Sequence, residues 1–364
     1  MANQVAYGFH GLKDVFASSA YQNRTLIPTV RDAIIATTAE HTRQVTELTS
    51  AIAGRTTEPR MRIATGDQGT LQPLDEWGNP KPTRGGGYYE IGFPIQGGGD
   101  AYGTNRVSRA KLSVQDVNDR VLSATRKDAD WMMRHMLASL LDNASWTFTD
   151  ADSAVGTLTI KPLANGDTDT YLFNGSTALA TDDHYKAQAA TIADAANPFP
   201  TDRKELDEHP GNAGPFVVYV PTNQVDNVAA LTELIEKPDP AVIQGANADQ
   251  LAGDGEIVRR FGNEVIGYLK TSRMWVVEWK RLPDNYILEV ALGAVDPAIM
   301  MREYDAPELQ GLFNEFNSPD GNLEEVRFLR YAGFGCFNRT AALVRRCGNG
   351  SYAVPTGYDA PLAI

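Results

Sequence analysis

Apolar residues recur every three to four positions along one stretch in the first half of the chain, which predicts a long helix. Ser113 is a good N-cap residue, and Asp116 follows three positions later in the manner of a capping box. No glycine or proline interrupts the pattern before Gly156. We expect a helix from about 113 to 144, which at 1.5 Å per residue is roughly 45–50 Å long. Its apolar positions include Val114, Val117, Val121, Met132, Met136 and Leu140.

The first 60 residues predict an N-terminal arm rather than a domain. A moderately amphipathic helix is expected from Thr29 to Ala53, and Gly54 ends it. The rest of this segment scatters aromatic residues among small polar ones, so it has little core of its own. We therefore expect the arm to pack on another surface.

Two strand-like runs bracketed by glycine clusters follow the arm. The runs are 61–64 and 88–95, the clusters are 85–87 and 97–99, and a turn is expected at 77–80. This pattern predicts a long β-hairpin with flexible roots, because glycine permits backbone conformations that other residues resist. A lone hairpin is marginally stable in water, so its partner surface lies elsewhere in the chain or on another subunit.

The remaining pattern alternates strands with helices over about 180–295 and then returns to strands. The alternation is typical of a mixed α/β unit. The run 325–337 is apolar on both faces in its second half, which predicts a central strand. The expected helices are 185–196 and 222–235, and the expected strands are 216–220, 274–279, 286–292, 298–303, 325–337 and 341–344.

Composition and charge limit the class of protein. The chain has 364 residues, of which 42% are hydrophobic and 22% charged, as in globular proteins. This length is enough for two or three packed units. Its 33 Lys and Arg against 46 Asp and Glu give a net charge of −13. That balance argues against a protein whose main task is gripping nucleic acid, although a container with a repulsive inner surface would also be acidic.

Compartment signals are absent from the sequence. The longest apolar runs have four or five residues, whereas a bilayer crossing needs about 20. The first residues lack the basic start and apolar stretch of a signal peptide. We expect a protein made in the cytosol, without membrane association, in which Cys336 and Cys347 are free thiols.

No motif predicts catalysis or ligand binding. A phosphate-binding glycine loop and a Gly-x-Ser-x-Gly elbow are both missing. The acidic doublets at 150–152 and 167–169 are expected to be solvated turns, since the second lacks the glycine and glutamate of a calcium loop. Cys336 is expected to be a buried structural thiol. We expect no catalytic, cofactor or metal site, and no enzyme. The five histidines are well separated and lack metal-ligand spacing: His10, His41, His135, His184 and His209.

The hairpin carries the candidate functional residues. Its aromatic residues would form either a platform for a sugar or nucleobase or a contact with a neighbouring subunit, and we favour the contact. The arginines that frame it are either solvated charges or one side of intersubunit ion pairs. The predicted interface residues are Trp77, Arg84, Tyr88, Tyr89, Phe93, Arg106 and Arg109.

The order of arm, glycine-rooted hairpin, long helix, α/β unit and returning strands resembles the major capsid protein of tailed phages. Three segments carry the resemblance most clearly: 216–223, 305–309 and 326–342. This family has the Hong Kong 97-type fold, which is shared with encapsulins and the shell floors of herpesviruses. The resemblance implies an α+β fold with these parts: arm 1–60, extended loop 61–106, peripheral domain 107–180 with the long helix as its spine, axial domain 181–295, returning peripheral strands 296–345 and tail 346–364.

The resemblance also implies a function. Copies of the chain would assemble as pentamers and hexamers into an icosahedral shell around double-stranded DNA, in the host cytoplasm and then in the virion. The expected partners are the chain itself, a separate scaffolding protein, a portal protein and a decoration protein; no cofactor is expected. The alternatives are an encapsulin-like compartment with protein cargo and a soluble α/β enzyme of another family.

Overall fold

The computed structural model describes residues 27–50, 52–64, 71, 73–80, 88–105, 114–150, 155–166, 169–176, 179–236, 264–317 and 323–362. Predictions for residues 1–26, for the glycine cluster 85–87, and for Arg84, Arg106 and Arg109 lie outside these ranges. Within them the chain is a mixed α+β protein with two larger sheets and three separate strand pairs.

The predicted spine helix is confirmed. It extends from Val114 to Leu141, about 42 Å at 1.5 Å per residue. Met132, Met136 and Leu140 on its apolar face are fully buried. The predicted arm helix is also present and begins two residues earlier than expected. The α-helices of the described ranges are α1 Ile27–Thr49, α2 Val114–Leu141, α3 Phe199–Asp207 and α4 Val225–Ala229.

Eighteen strands lie in the described ranges. They are β1 Ala53–Thr56, β2 Arg60–Ala64, β3 Tyr88–Gly92, β4 Gln96–Asn105, β5 Trp146–Asp150, β6 Gly156–Ile160, β7 Thr170–Leu172, β8 Leu179–Thr181, β9 Tyr185–Gln188, β10 Phe216–Val220, β11 Leu234–Glu236, β12 Glu264–Leu269, β13 Met274–Glu278, β14 Tyr286–Ala291, β15 Ile299–Arg302, β16 Leu312–Asn317, β17 Leu323–Cys336 and β18 Ala342–Cys347.

Strand β17 organises the five-stranded sheet. It pairs antiparallel with β15 near its end, with β16 over its first half and with β4 over ten positions. Strand β1 completes the sheet by pairing parallel with β15. The prediction of a central strand at 325–337 is therefore confirmed.

The seven-stranded sheet has the order β11-β12-β13-β10-β14-β18-β9. All five residues of β10 are buried, because β10 pairs parallel with β13 and antiparallel with β14. The last strand, β18, lies beside β14 in this sheet. The sheet thus spans the predicted boundary at residue 295, and the peripheral and axial labels remain predictions.

The spine helix joins the two sheets. Its buried face belongs to one apolar cluster that includes Val217 and Tyr219 of the seven-stranded sheet and Ile299 and Phe334 of the five-stranded sheet. A second cluster covers the opposite face of the seven-stranded sheet, where Phe199 and other residues of α3 pack. The sheets and the helix between them therefore share one core.

Two predicted helices are wrong or shortened. Residues 185–188 form β9, which pairs parallel with β18, and the helix instead begins at Phe199. Pro200 does not prevent this start, because proline is tolerated in the first helical turn. Only Val225–Ala229 of the predicted helix 222–235 is α-helical, since Leu234–Glu236 pairs with β12. In both places tertiary strand pairing overrides the local pattern.

The glycine cluster 97–99 is not a flexible root, which corrects that prediction. These residues lie in β4 and pair with β17 beneath the spine helix. A Cβ on Gly98 would lie 3.0 Å from the indole of Trp131, and one on Gly99 would lie 2.8 Å from Leu329 Cδ2. The glycines permit close packing between strand, helix and sheet.

Candidate assembly surface

The predicted hairpin pairing is confirmed. Strands β2 and β3 pair antiparallel from Arg60 opposite Gly92 to Ala64 opposite Tyr88. On the exposed face, Arg62 Nε donates to Glu90 Oε1 at 2.8 Å, and Arg60 Nη1 donates to Glu90 Oε2 at 3.0 Å. The guanidinium of Arg62 also lies 4.8 Å from the ring centre of Tyr88. Exposed ion pairs contribute little stability, so they mainly favour this strand register.

The root of the hairpin passes closely over two glycines of β17. A Cβ on Gly333 would lie 2.2 Å from the carbonyl oxygen of Pro94, and a Cβ on Gly335 would lie 2.9 Å from Phe93 Cδ1. Neither glycine has room for a side chain. Phe93 lies against Gly335, in space that a side chain there would fill, and is 0% exposed. It is therefore a core residue of this chain, which corrects its prediction as a subunit-interface residue.

A buried ion pair fixes the same root. Arg302 Nη1 donates to the carbonyl oxygen of Phe93 at 2.9 Å, and Arg302 Nη2 donates to Asp150 Oδ2 at 2.6 Å. Both charged side chains are about 5% exposed. Asp150 is thus a buried partner at the end of β5, which corrects its prediction as a solvated turn residue. Breaking a buried pair is costly, so this contact holds the hairpin root to β5 and β15.

The hairpin tip is an ordered turn stabilised by one aspartate. Asp75 Oδ1 accepts the backbone N–H groups of Trp77 at 2.9 Å and Asn79 at 2.8 Å. These backbone hydrogen bonds, that of Asn79 first, lower the pKa of Asp75 below its ordinary value. Gly78 has φ +79°, a conformation that favours glycine. The predicted turn near 77–80 is confirmed.

This turn presents apolar side chains to solvent. Trp77 is 86% exposed, Leu74 is 63% exposed and Leu71 is 99% exposed. Tyr88, on the strand that follows, is also exposed. We call Leu71, Leu74, Trp77 and Tyr88 the tip patch. Several large exposed apolar side chains between β2 and the start of β3 indicate an interaction surface.

The predicted interface residues thus lie in different environments. Trp77 and Tyr88 belong to the tip patch, whereas Tyr89 is half-buried and its ring packs edge-on against Tyr171 at 6.2 Å. Because Phe93 is in the core, the four aromatic residues do not form one platform for a sugar or base. The assignment of Trp77, Tyr88 and Tyr89 to a subunit interface remains a prediction.

Sequence reasoning missed a buried charge network that holds the arm helix to the rest of the chain. Arg330 donates through Nε to Asp128 Oδ1 at 2.5 Å and through Nη2 to Asp128 Oδ2 at 2.9 Å. His41 Nε2 on α1 lies 2.8 Å from Asp128 Oδ2, and Glu303 Oε1 lies 3.8 Å from Arg330 Nη1. Burial alone would raise the pKa of Asp128, but the hydrogen bond with His41 and the charge of Arg330 lower it. The arm helix therefore packs on its own chain.

Sequence reasoning also missed a cluster of two histidines and an aspartate. His209 Nε2 lies 2.9 Å and His184 Nε2 lies 3.1 Å from the same oxygen, Asp182 Oδ2. The two imidazole centres are 5.1 Å apart. Both histidines are buried, and burial lowers the pKa of His184. The only sequence signal for this cluster is the Asp-x-His spacing at 182–184. His209 is distant in the sequence and is brought to the cluster by the loop after α3.

A scan against protein-family models and a search of curated proteins each found no match. Solved structures do match. A chain from Mycobacterium phage Patience has a TM-score of 0.66 at 16% identity, and the match covers 96% of this chain and 94% of that one. A chain from the mature capsid of bacteriophage PhiM1 has a TM-score of 0.50 at 11% identity, covering 82% of this chain and 85% of that one.

A virus-like particle from Pyrococcus furiosus is also similar, at 11% identity over 88% of this chain and 98% of that one. Its TM-score of 0.44 is too low to support an argument. The first two matches cover 96% and 82% of this chain, at identities where likeness establishes the fold. The chain therefore has the α+β, Hong Kong 97-like fold that its order of elements predicts.

Proposed function

We propose that this chain is the structural major capsid protein of a tailed double-stranded DNA bacteriophage. In this role its copies assemble as pentamers and hexamers into an icosahedral shell. The observation that carries the proposal is the shared fold with a chain of the PhiM1 mature capsid, over 82% of the length. The closer fold of the chain from Mycobacterium phage Patience supports it.

The tip patch supplies the physical support. An ordered turn that leaves Trp77, Leu74 and Leu71 in solvent is incomplete as a monomer surface. A neighbouring copy would remove this apolar area from water, which is favourable by about 25 cal/mol per Å². In a closed symmetric shell each copy both gives and receives such a contact, and many modest interfaces stabilise the whole.

The net charge is compatible with a shell around DNA. The net charge of −13 suits a wall that encloses DNA without gripping its phosphates. Within the described ranges, no helix is long and apolar enough to cross a bilayer. The proposal places the protein in the capsid of the virion, assembled in the host cytoplasm. A scaffolding protein, a portal protein and a decoration protein are its proposed partners.

Co-expression with the neighbouring open reading frames tests the proposal, with negative-stain electron microscopy and sedimentation as readouts. Closed shells or rings of capsomers, with DNA protected from nuclease when the portal is present, are the expected result. A shell that contains protein cargo and no DNA would favour the compartment alternative. A small discrete oligomer in the presence of the scaffold would overturn the proposal.

A further inference from the structure

The cluster of Asp182, His184 and His209 has unusual hydrogen bonding. His209 Nδ1 lies 3.1 Å from the carbonyl oxygen of Leu172. A carbonyl oxygen only accepts, so Nδ1 must carry the hydrogen. In a neutral imidazole the other nitrogen, Nε2, then has a lone pair, and it faces the carboxylate of Asp182 at 2.9 Å. Two acceptors at this distance require a cation between them, either a proton or a metal ion.

His184 adds a second nitrogen to the same point. Its side chain is fully buried, and Nε2 lies 3.1 Å from Asp182 Oδ2 without the alignment of a hydrogen bond. Neither ring nitrogen of His184 has a hydrogen-bond partner in the part of the chain that the structure describes. Buried polar atoms are nearly always partnered. A fully buried imidazole that faces this carboxylate at 3.1 Å without completing a hydrogen bond, beside the His209 that already shares it, therefore indicates a place for a cation.

The surrounding charges favour a divalent cation. Carboxylate oxygens of Asp182, Glu205 and Glu208 lie within 4.8 Å of one another. Among the described residues, one ammonium group forms an ion pair with this carboxylate cluster: Lys186 pairs with Glu205. Three carboxylates facing one ammonium group leave negative charge that a divalent ion would neutralise. Glu205 and Glu208 are only partly buried, so they leave the cluster open toward solvent.

We propose that Asp182, His184 and His209 bind one divalent transition-metal ion of the Zn²⁺ class, while Glu205 and Glu208 add negative charge beside the site. Two imidazoles with carboxylates are a ligand set that Zn²⁺ prefers, whereas Ca²⁺ and Mg²⁺ prefer oxygen ligands alone. Ligands about 2.0–2.2 Å from one tetrahedral zinc ion lie roughly 3.3–3.6 Å apart. The separations of 2.9 and 3.1 Å are shorter than this by a few tenths of an ångström, so small side-chain shifts would admit the ion.

The hydrogen bond on the far side of the His209 ring also fits a metal site. A metal-bound histidine commonly donates its other N–H to a backbone carbonyl, which fixes the tautomer, and His209 does so to Leu172. Leu172 is the last residue of β7, and His209 follows α3. A bound ion would therefore join the loop after α3 to the segment between β8 and β9. This site is independent of the proposed capsid role.

Metal binding by the purified full chain tests the site directly. The protein is stripped with a chelator and then dialysed against Zn²⁺, and the bound metal is measured by elemental analysis. Asp182→Asn and His209→Gln each remove one ligand, and His135→Gln is the matched control. His135 is another buried histidine, stacked on Trp131 with ring centres 4.1 Å apart and far from these carboxylates.

The expected result is one Zn²⁺ per chain, a melting temperature raised by Zn²⁺ and lowered again by the chelator, and affinity at least tenfold weaker in both ligand variants. The control should bind as the wild type does. Less than one ion per chain at saturating Zn²⁺ would overturn the proposal and assign a proton to the cluster. Equal binding by wild type and ligand variants would overturn it too.

X-ray absorption at the zinc edge of the wild-type protein keeps the test decisive if a ligand variant fails to fold. Nitrogen and oxygen neighbours at about 2.0–2.2 Å, with the outer-shell scattering of imidazole, support the site. Sulfur neighbours at about 2.3 Å would instead assign the metal to a cysteine and contradict the proposal.

Discussion

Substitution of Trp77 tests the proposed contact between copies of the chain. Its side chain is 86% exposed on a turn whose hydrogen bonds use backbone groups and Asp75. Replacing it by alanine removes none of those hydrogen bonds. We therefore expect Trp77→Ala to leave the free energy of unfolding of the isolated chain within about 0.5 kcal/mol of wild type, as for other surface substitutions.

The same substitution should weaken assembly strongly. A tryptophan buries about 150–250 Å² in a contact, which at about 25 cal/mol per Å² sets an upper limit of about 4–6 kcal/mol. Ordering and desolvation costs reduce this, so about 2–4 kcal/mol per contact is a realistic loss for an aromatic hot spot. At 1.4 kcal/mol for each factor of ten, the protein concentration needed for assembly rises by about 30- to 700-fold.

Sedimentation of a concentration series, with circular dichroism melts in parallel, measures both effects. Trp77→Phe is the matched control, because it keeps an aromatic ring and most of the apolar area and should give an intermediate shift. If Trp77→Ala assembled at the wild-type concentration, the tip patch would not be an interface. A lower melting temperature of the unassembled chain would show that Trp77 acts in folding instead.

Three further predictions concern the fold itself. Arg302→Met leaves the buried carboxylate of Asp150 without its guanidinium and should cost about 3–5 kcal/mol in urea unfolding; combining it with Asp150→Leu should restore part of this, and no restoration would contradict the pairing. Gly333→Ala should cost about 2 kcal/mol or more through overpacking at the hairpin root, while Gly350→Ala, whose Cβ would meet only Ala189 Cβ at an ordinary 3.7 Å, should be nearly neutral; equal stability of the two would refute the close contact. Burial lowers the pKa of His135 from 6.5 to about 4, so the unfolded chain binds a proton that the folded chain does not, and stability should fall by about 3 kcal/mol from pH 7 to pH 4 on this account. The difference between wild type and His135→Gln isolates that contribution, and parallel pH curves would contradict it.

Local patterns predicted the elements whose signal is local. The spine helix α2 carries an uninterrupted apolar repeat, and β10 is a short run of five apolar residues, so both could be placed within a few residues. The local pattern at 185–188 indicates a helix, because the strand partner of this segment, β18, lies more than 150 residues away. Strand pairing at that distance leaves no trace in a local window.

The residues of the candidate surface also divide into those with a local sequence signal and those that depend on distant parts of the chain. The tip turn could be predicted from its own residues, and Trp77 lies exposed on it. Phe93 could not be placed correctly, because the space that it fills depends on the absence of a side chain at Gly335, far along the chain. Asp150 and Asp128 likewise look like solvent-exposed charges until their arginine partners are brought beside them by folding.

An electron cryomicroscopy reconstruction of the particles formed by this chain with its scaffold tests the central claim most directly. The account predicts an icosahedral shell with the chain repeated around five-fold and six-fold axes and with Trp77 of each copy buried against a neighbouring copy. A particle in which Trp77 remains in solvent would contradict the role of the tip patch. A small closed oligomer would contradict the capsid function itself.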